Sequence, residues 1–355
     1  MDLVIRDPMQ AQPSATARPR LAERIASRLL CDVRDTAFLE LMTLQSLVVI
    51  PTGLALFVPG WFSWWLAAAH LAIVLYWIAP FVLMLHNTSH RKFFKRPWTW
   101  MNQYIPWVLG PFFGESPETY FAHHVGMHHP ENNLEEDLSS TMPFRRDSAV
   151  GFARYFLRFF FAILLELLSY LGRKGRRGLM IRAAVGELSF YAAMAGLFFV
   201  NWRATLFVFF LPFVISRFAM MAGNWAQHAF IDPASPENSY RNSITCINSL
   251  YNKRCFNDGY HIGHHIKQTR HWLEMPEDFL RNLDKYEAEG AIVFEGVDYF
   301  PVWLALMFKR YDWLASKMVQ LGKQKRSREE LVELLRSRTL PIVAAPVTQP
   351  AIQAR

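Results

Sequence analysis

Ten of the twelve histidines in this chain fall in four short windows, and their spacing suits metal binding. The windows are HNTSH (His86, His90), AHHVGMHH (His123, His124, His128, His129), NWAQH (Asn224, His228) and HIGHH (His261, His264, His265). Residues three or four apart share one face of a helix, so two imidazoles per helix can converge on a cation. Adjacent residues diverge by about 100° around a helix. One member of His128-His129 and of His264-His265 could therefore serve one metal and its neighbour a second. A lone pair of this kind is most often a surface or packing pair; four windows together point to ligation. Zinc takes four ligands, or three in catalytic sites, so nine or ten histidines are too many for one zinc ion. Iron in a pair, at higher coordination number, fits the count better. His123 precedes the His124/His128 pair and could be only a neighbour. His271 lies outside the tight spacing and reads as a supporting or structural residue.

The elements that must position these windows are apolar. From Leu41 to Leu85 the chain has no Asp, Glu, Lys or Arg, long enough for two bilayer crossings of about 20 residues each. Leu41–Val58 crosses, Pro59-Gly60 turns and Trp61–Leu85 returns. The turn is uncharged, whereas Arg91, Lys92, Lys95 and Arg96 follow the second crossing, so the positive-inside rule puts the first histidine window in the cytoplasm. Trp98–Phe113, broken by Pro106, Gly110 and Pro111, suits a re-entrant or interfacial segment. In Ala149–Leu171, residues Arg154, Arg158 and Glu166 share one stripe, which predicts a helix lying in the interface. The run RKGRRG at 173–178 marks another cytoplasmic loop. A second hairpin, roughly Arg182–Trp202 and Ala204–Ala226, returns the chain to the same side, with Glu187 and Arg217 near its inner ends. His70, mid-span, reads as a packed or hydrogen-bonded interior residue.

The sequence thus predicts an all-α integral membrane fold. Four transmembrane helices form two hairpins, joined by interfacial helices and a cytosolic helical cap that holds a histidine-rich two-metal site. Residues 1–37 read as a cytosolic tail, disordered to about Arg20, with an interfacial helix from about Leu21. Residues 38–338 form a single domain, with helices at 276–287 and about 303–338, and 339–355 a disordered tail. Both termini are expected in the cytoplasm, and no cleavable signal is expected. The three cysteines lack metal or disulfide spacing, which suits a reducing compartment. The net charge of +8 sits beside apolar runs, favouring a membrane surface over nucleic acid.

The ordered set HxxxH, HxxxHH, NxxxH and HxxHH, placed after membrane hairpins, closely resembles the membrane fatty acid desaturase/hydroxylase superfamily, over about Leu41 to Trp272. That resemblance implies a cytosolic cap whose histidines hold two irons, with dioxygen as co-substrate and a ferredoxin, rubredoxin or cytochrome b5 as electron donor. It implies that His86, His90, His129 and His265 hold one iron, with Asn224 holding a water beside it. His124, His128, His228, His261 and His264 would hold the other. It implies oxidation of an unactivated C–H bond in a lipid or fatty acyl chain, desaturation first and hydroxylation as the alternative. The HxxxH and HxxxHH spacings depart from those of stearoyl-type enzymes and also occur in alkane hydroxylases, so they do not decide the outcome. Asp258, Glu135, Glu136 and Asp137 are candidates to fix the second ring nitrogens. No GxGxxG fingerprint and no HPGG haem segment is present, so reducing power is expected from a separate protein. The basic rims, Arg91, Lys92, Arg145, Arg146, Lys253 and Arg254, could dock an acidic donor or face anionic lipid. The rival from another class is a histidine-rich membrane metal-binding or transport protein without redox chemistry, which would place ionisable groups along the spans.

Overall fold

The structure is a computed structural model that describes residues 3–10, 20–322 and 324–342. Its frame is helical, because a backbone in lipid must satisfy its polar groups within each segment. The first hairpin pairs Thr36–Ala55 with Trp64–His90, the latter opened by Ser63, whose Oγ accepts Leu66 N at 3.1 Å. Trp64–His90 has 27 residues and is about 40 Å long, more than the roughly 30 Å of a hydrocarbon core. It is therefore long enough to span an apolar layer and still leave its last turn, with His86 and His90, for other contacts. Mid-helix, His70 is fully buried with Nδ1 2.9 Å from Thr52 Oγ1, the interior hydrogen-bonded residue expected.

The second hairpin runs almost continuously from Arg177 to Gln227 but reverses at Asn201, whose φ of −156° and ψ of 94° are not helical. A straight helix would hold Glu187 and Arg217 about 45 Å apart. Instead they form an ion pair at 2.6 Å, and the Phe190 and Phe213 rings lie 5.7 Å apart. Asn201 Nδ2 also donates to Leu56 O at 3.2 Å, tying the reversal to the turn of the first hairpin. Exposed Trp61, Trp64, Trp65 and Trp202 gather at this end, as aromatic residues do at a membrane–water boundary.

Ala149–Arg173 is also long and apolar enough to cross a membrane, so four such stretches exist: Val33–Ala55, Trp64–His90, Ala149–Arg173 and the folded Arg177–Gln227. The chain is a membrane protein. Both ends of Ala149–Arg173 nevertheless reach the histidine-bearing layer. Near its start, Tyr155 Oη donates to Ser139 O at 3.2 Å; near its end, Tyr170 bonds Glu131 and Lys174 pairs with Glu131 at 3.1 Å. Glu131 and Ser139 flank one loop, so both ends of this helix stay beside the histidine-bearing ends of the hairpins. Arg158 and Glu166 pair at 3.1 Å along its polar stripe. The segment after the first hairpin is broken as its Pro and Gly residues imply: 3₁₀ at Trp98–Gln103, a π-turn at Ile105–Leu109 and 3₁₀ at Gly110–Phe113.

Three expectations are corrected. First, a two-stranded parallel sheet sits in the cap, with β1 (Ile244–Ile247) against β2 (Ile292–Glu295) in the register Ile244↔Ile292; both are buried, and four-residue apolar runs carry no helix or strand period of their own. The helices at 276–287 and 303–338 are likewise divided: Met275–Arg281 and Leu283–Ala288, then Tyr299–Met307, Tyr311–Lys317 and Arg328–Ser337. Second, the N-terminal residues 3–10 are not loose but packed on the cap. Asp7 is buried, and its Oδ2 accepts from Asn248 N at 2.7 Å, Asn252 Nδ2 at 2.9 Å and Tyr260 Oη at 2.7 Å. Residues 11–19 lie outside the described residues. Third, the C-terminal tail begins ordered: Thr339 is fully buried, with its carbonyl accepting from Arg146 N at 2.8 Å. Residues 343–355 fall outside the described residues.

Candidate metal centre

Four elements bring the histidine windows to one place. His86 and His90 come from the end of the first hairpin, His228 follows the end of the second, and His261, His264 and His265 lie on the short helix His261–Ile266. The AHHVGMHH window occupies Thr119–His123 and then a π-turn, His124–His128. This segment is held from below by a tightly wedged loop. Gly114 has φ +78°, and a side chain there would strike the backbone of Phe213; a side chain on Gly186 would strike the Pro117 carbonyl. Buried Glu187 accepts from Ser116 and, at 2.8 Å, from Thr119 Oγ1, so the second hairpin fixes where this window starts.

The ring nitrogens form two groups, each with its potential donor atoms within 4.8 Å of one another: His86, His90, His124, His129 and His264, then His128, His228, His261 and His265. All nine histidines expected as ligands are present, and the adjacent pairs His128-His129 and His264-His265 are split between groups. The division differs from the one the resemblance implied: His124 and His264 join the first group, and His265 the second. The reason is local. In a π-turn residues five apart, not four, come onto one face. His124 therefore meets His129, with their Nε2 atoms 2.9 Å apart, and not His128. On the ordinary α-helix His261–Ile266 the four-residue spacing holds, and His261 and His265 Nε2 are 3.0 Å apart.

The donor set fits a pair of cations. In the first group, Nε2 atoms of His86 and His264, His90 and His124, and His129 and His264 lie 2.9, 3.1 and 3.0 Å apart. Burial, followed by repulsion from neighbouring rings, holds His124, His129, His261, His264 and His265 well below the usual histidine range, and burial holds His228 at about 4. These rings are neutral at pH 7, the ligating form. At three of the nine rings an acceptor faces Nδ1. Asp258 Oδ1 lies 3.3 Å from His86 Nδ1, Asp137 Oδ2 2.7 Å from His128 Nδ1, and Asn242 O 3.1 Å from His228 Nδ1. The Nε2 atoms of His86 and His228 thus face those of His264 and His261 at 2.9 and 3.3 Å, an arrangement that a metal ion between them would convert from repulsion into bonding.

The supporting acids are sorted by burial. Asp137 is buried; burial alone would raise it, but His128 and the Ser139 hydroxyl outweigh this and hold it at about 2. Asp258 also accepts Tyr251 Oη at 2.8 Å. Glu135 is exposed and Glu136 pairs with Lys174, so neither supports a ring. His271 is buried, with Nδ1 accepting Leu273 N at 3.1 Å and Nε2 3.1 Å from Asp35 Oδ1; it ties the cap to the start of the first hairpin. Asn224 donates through Nδ2 to Ser139 O at 3.0 Å and Tyr155 Oη at 2.7 Å. It thus sits beside Ser139, whose hydroxyl lies 3.4 Å from His128 Nδ1. His123 joins neither group: it packs on Phe159, with ring centroids 5.5 Å apart, and lines the adjoining cavity.

That cavity, about 370 Å³, touches both groups through His86, His124, His128 and His261. Its walls are largely apolar, including Ile78, Val82, Leu83, Phe159, Ile163 and Met221. Sequence spacing gave no sign of its polar far end, where Glu115, Ser116, Ser216 and Arg217 meet.

Of the six basic residues expected to dock a partner, four are engaged. Arg146 is fully buried, its guanidinium donating to Ala229 O, Thr141 O, Met142 O, Phe144 O, Arg338 O and Leu340 O. Arg91 pairs with Asp35, Arg145 with Asp147, and Arg254 donates to Tyr76 O. Lys92 and Lys253 remain exposed.

Fold and site together define a helical membrane protein with a buried histidine cluster suited to metal beside an apolar cavity. The Fatty acid desaturase family model matches residues 59–296, well over half of the chain, and the chain belongs to that family. Membership makes it an oxidoreductase of the desaturase/hydroxylase type. No curated protein and no solved structure matches the chain.

Proposed function

We propose that this chain is a di-iron enzyme that uses dioxygen to oxidise an unactivated C–H bond in a lipid or fatty acyl chain, with desaturation as its main outcome. The observation that carries the reading is the pair of histidine groups opening on one apolar cavity. His86, His90, His124, His129 and His264 would hold one iron, and His128, His228, His261 and His265 the other, with Asn224 placed to orient a water. No side chain can remove hydrogen from an unactivated methylene; the iron pair would supply that oxidising power when bound. The chain's own residues do the rest. Asp137, Asp258 and Asn242 orient the rings, Tyr120 stacks on His124 with centroids 5.2 Å apart, and the cavity walls align an alkyl segment and keep water out.

The Trp-rich end of the hairpins and the basic flanks of the other end support a cytoplasmic histidine layer and cytoplasmic termini. Electrons would come from a separate ferredoxin, rubredoxin or cytochrome b5-type protein, with Lys92 and Lys253 as available basic contacts. The alternative outcome is hydroxylation by the same centre. A non-redox metal-transport role fits less well, because the two histidine groups able to hold a metal lie together at one end of the hairpins rather than along a path through the spans, among the described residues. The test is iron-loaded protein with reductase, ferredoxin, oxygen and acyl substrates. Loss of two hydrogens from the product supports desaturation and gain of one oxygen supports hydroxylation. Stoichiometric zinc, with no iron and no oxygen consumption, would refute the reading.

A further inference from the structure

The cavity beside the histidines has a polar far end that an all-alkyl ligand would not use. Arg217 is buried there, only 5% exposed, yet its guanidinium spends one nitrogen on the protein: Nη2 donates to Glu187 Oε1 at 2.6 Å and to Ser116 Oγ at 3.4 Å. Among the described residues, Nε and Nη1 have no hydrogen-bond partner, while one face of the group lies 4.3 Å from the Phe213 ring centroid. A guanidinium in so buried a setting is favoured by an acceptor placed in the cavity within reach of its free donors. Glu115, also buried, accepts the Ser216 hydroxyl, and burial pushes its carboxyl up to about 7, so it is available in the protonated, donating form. His123, whose Nε2 is buried without a partner, lines the same cavity nearer the metal groups. The Arg217 charge is already balanced by Glu187, so an added full negative charge would be uncompensated in a low-dielectric site. A neutral oxygen is not penalised in that way, and it can accept from Arg217 and from Glu115.

We propose that the far end of the cavity binds a neutral oxygen-bearing group of the substrate, a hydroxyl, carbonyl or un-ionised carboxyl. This rests on the proposed function and specifies its substrate. Arg217 is ten residues before Gln227 on one helix, so the oxygen sits on the order of 15 Å from the histidine layer. The alkyl segment between them lies along Ile78, Val82, Phe159 and Ile163, and its distance from the oxygen fixes which carbon is presented. Glu115, Ser116, Ser216 and Arg217 are all buried, so the oxygen that reaches them is one carried by the hydrocarbon itself.

The experiment measures binding of matched twelve-carbon probes (dodecane, 1-dodecanol, 2-dodecanone and dodecanoic acid) to the iron-loaded protein in nanodiscs. At least one oxygenated probe is expected to bind about tenfold tighter than dodecane, the size of one hydrogen bond to a charged donor. In Arg217→Met and in Glu115→Leu that preference falls toward unity. Should Arg217→Met fail to fold, Ser216→Ala, which removes the hydroxyl that orients Glu115, reads the same preference. Iron-bearing wild-type protein that binds dodecane as tightly as every oxygenated probe overturns the inference. Absence of iron, or of oxygen consumption with any probe, instead overturns the reading on which it rests.

Discussion

Replacing Asp137 by Asn tests whether the second histidine group is held by its support as the geometry requires. Asp137 Oδ2 accepts His128 Nδ1 at 2.7 Å and Asn133 N at 2.9 Å, and Oδ1 accepts Ser139 N at 2.8 Å and Ser139 Oγ at 2.6 Å. All four contacts are donors to a carboxylate, and the side chain is buried. An amide keeps one oxygen and turns an NH₂ toward two of those donors. Each donor left unpaired in a buried site costs about 1–3 kcal/mol, so the whole change is on the order of 3 kcal/mol. Part of this falls on the orientation of His128, and losing such a support lowers metal affinity or activity about 10–100-fold. The assay is iron per chain by elemental analysis, before and after a mild chelator, together with substrate-dependent oxygen uptake. Asp137→Asn is expected to lose iron from one group first and to turn over at least tenfold more slowly. A purified variant that keeps wild-type iron through chelation and wild-type turnover would refute the reasoning.

Asp7→Ala should release the three donors that reach it from Asn248, Asn252 and Tyr260; faster amide exchange across 246–262, which includes His261, is the expected sign, and unchanged exchange there would mean that residues 3–10 do not brace the cap. Gly186→Ala places a methyl group against the Pro117 carbonyl, so its thermal midpoint should drop by several degrees, and a variant as stable as wild type would mean that the loop is not wedged. Acid should destabilise the metal-free protein. Burial holds His123 and His228 at about 4, below the roughly 6.5 of an unfolded histidine. Between those values the unfolded chain takes up protons that the folded chain refuses, so stability falls as pH is lowered from about 6.5 toward 4. A thermal midpoint that stays flat from pH 7 to pH 5 would contradict this.

The identity of the nine clustered histidines, the helical class and the long apolar stretches were legible in the sequence, because they are written in residue type, spacing and the absence of charge. His86 and His90 follow from one uninterrupted helix, where a spacing of four means a shared face. Partition of the rings was not legible, since a π-turn at His124–His128 obeys no sequence period and moves His124 to the group of His129. The burial of Arg146 and Asp7 was equally hidden. Both look like surface charges until carbonyls of Arg338 and Leu340, or donors from Asn248 to Tyr260, arrive from distant parts of the chain to satisfy them.

The sequence by itself determined which atoms are available to a metal, because imidazole is the ligand wherever it is placed. Only the tertiary structure decided which rings face one another, which acids orient them, and that Glu115 and Arg217 end one cavity. Those properties depend on contacts between residues as far apart in sequence as His86 and His264, 178 positions, and such contacts leave no local pattern to read.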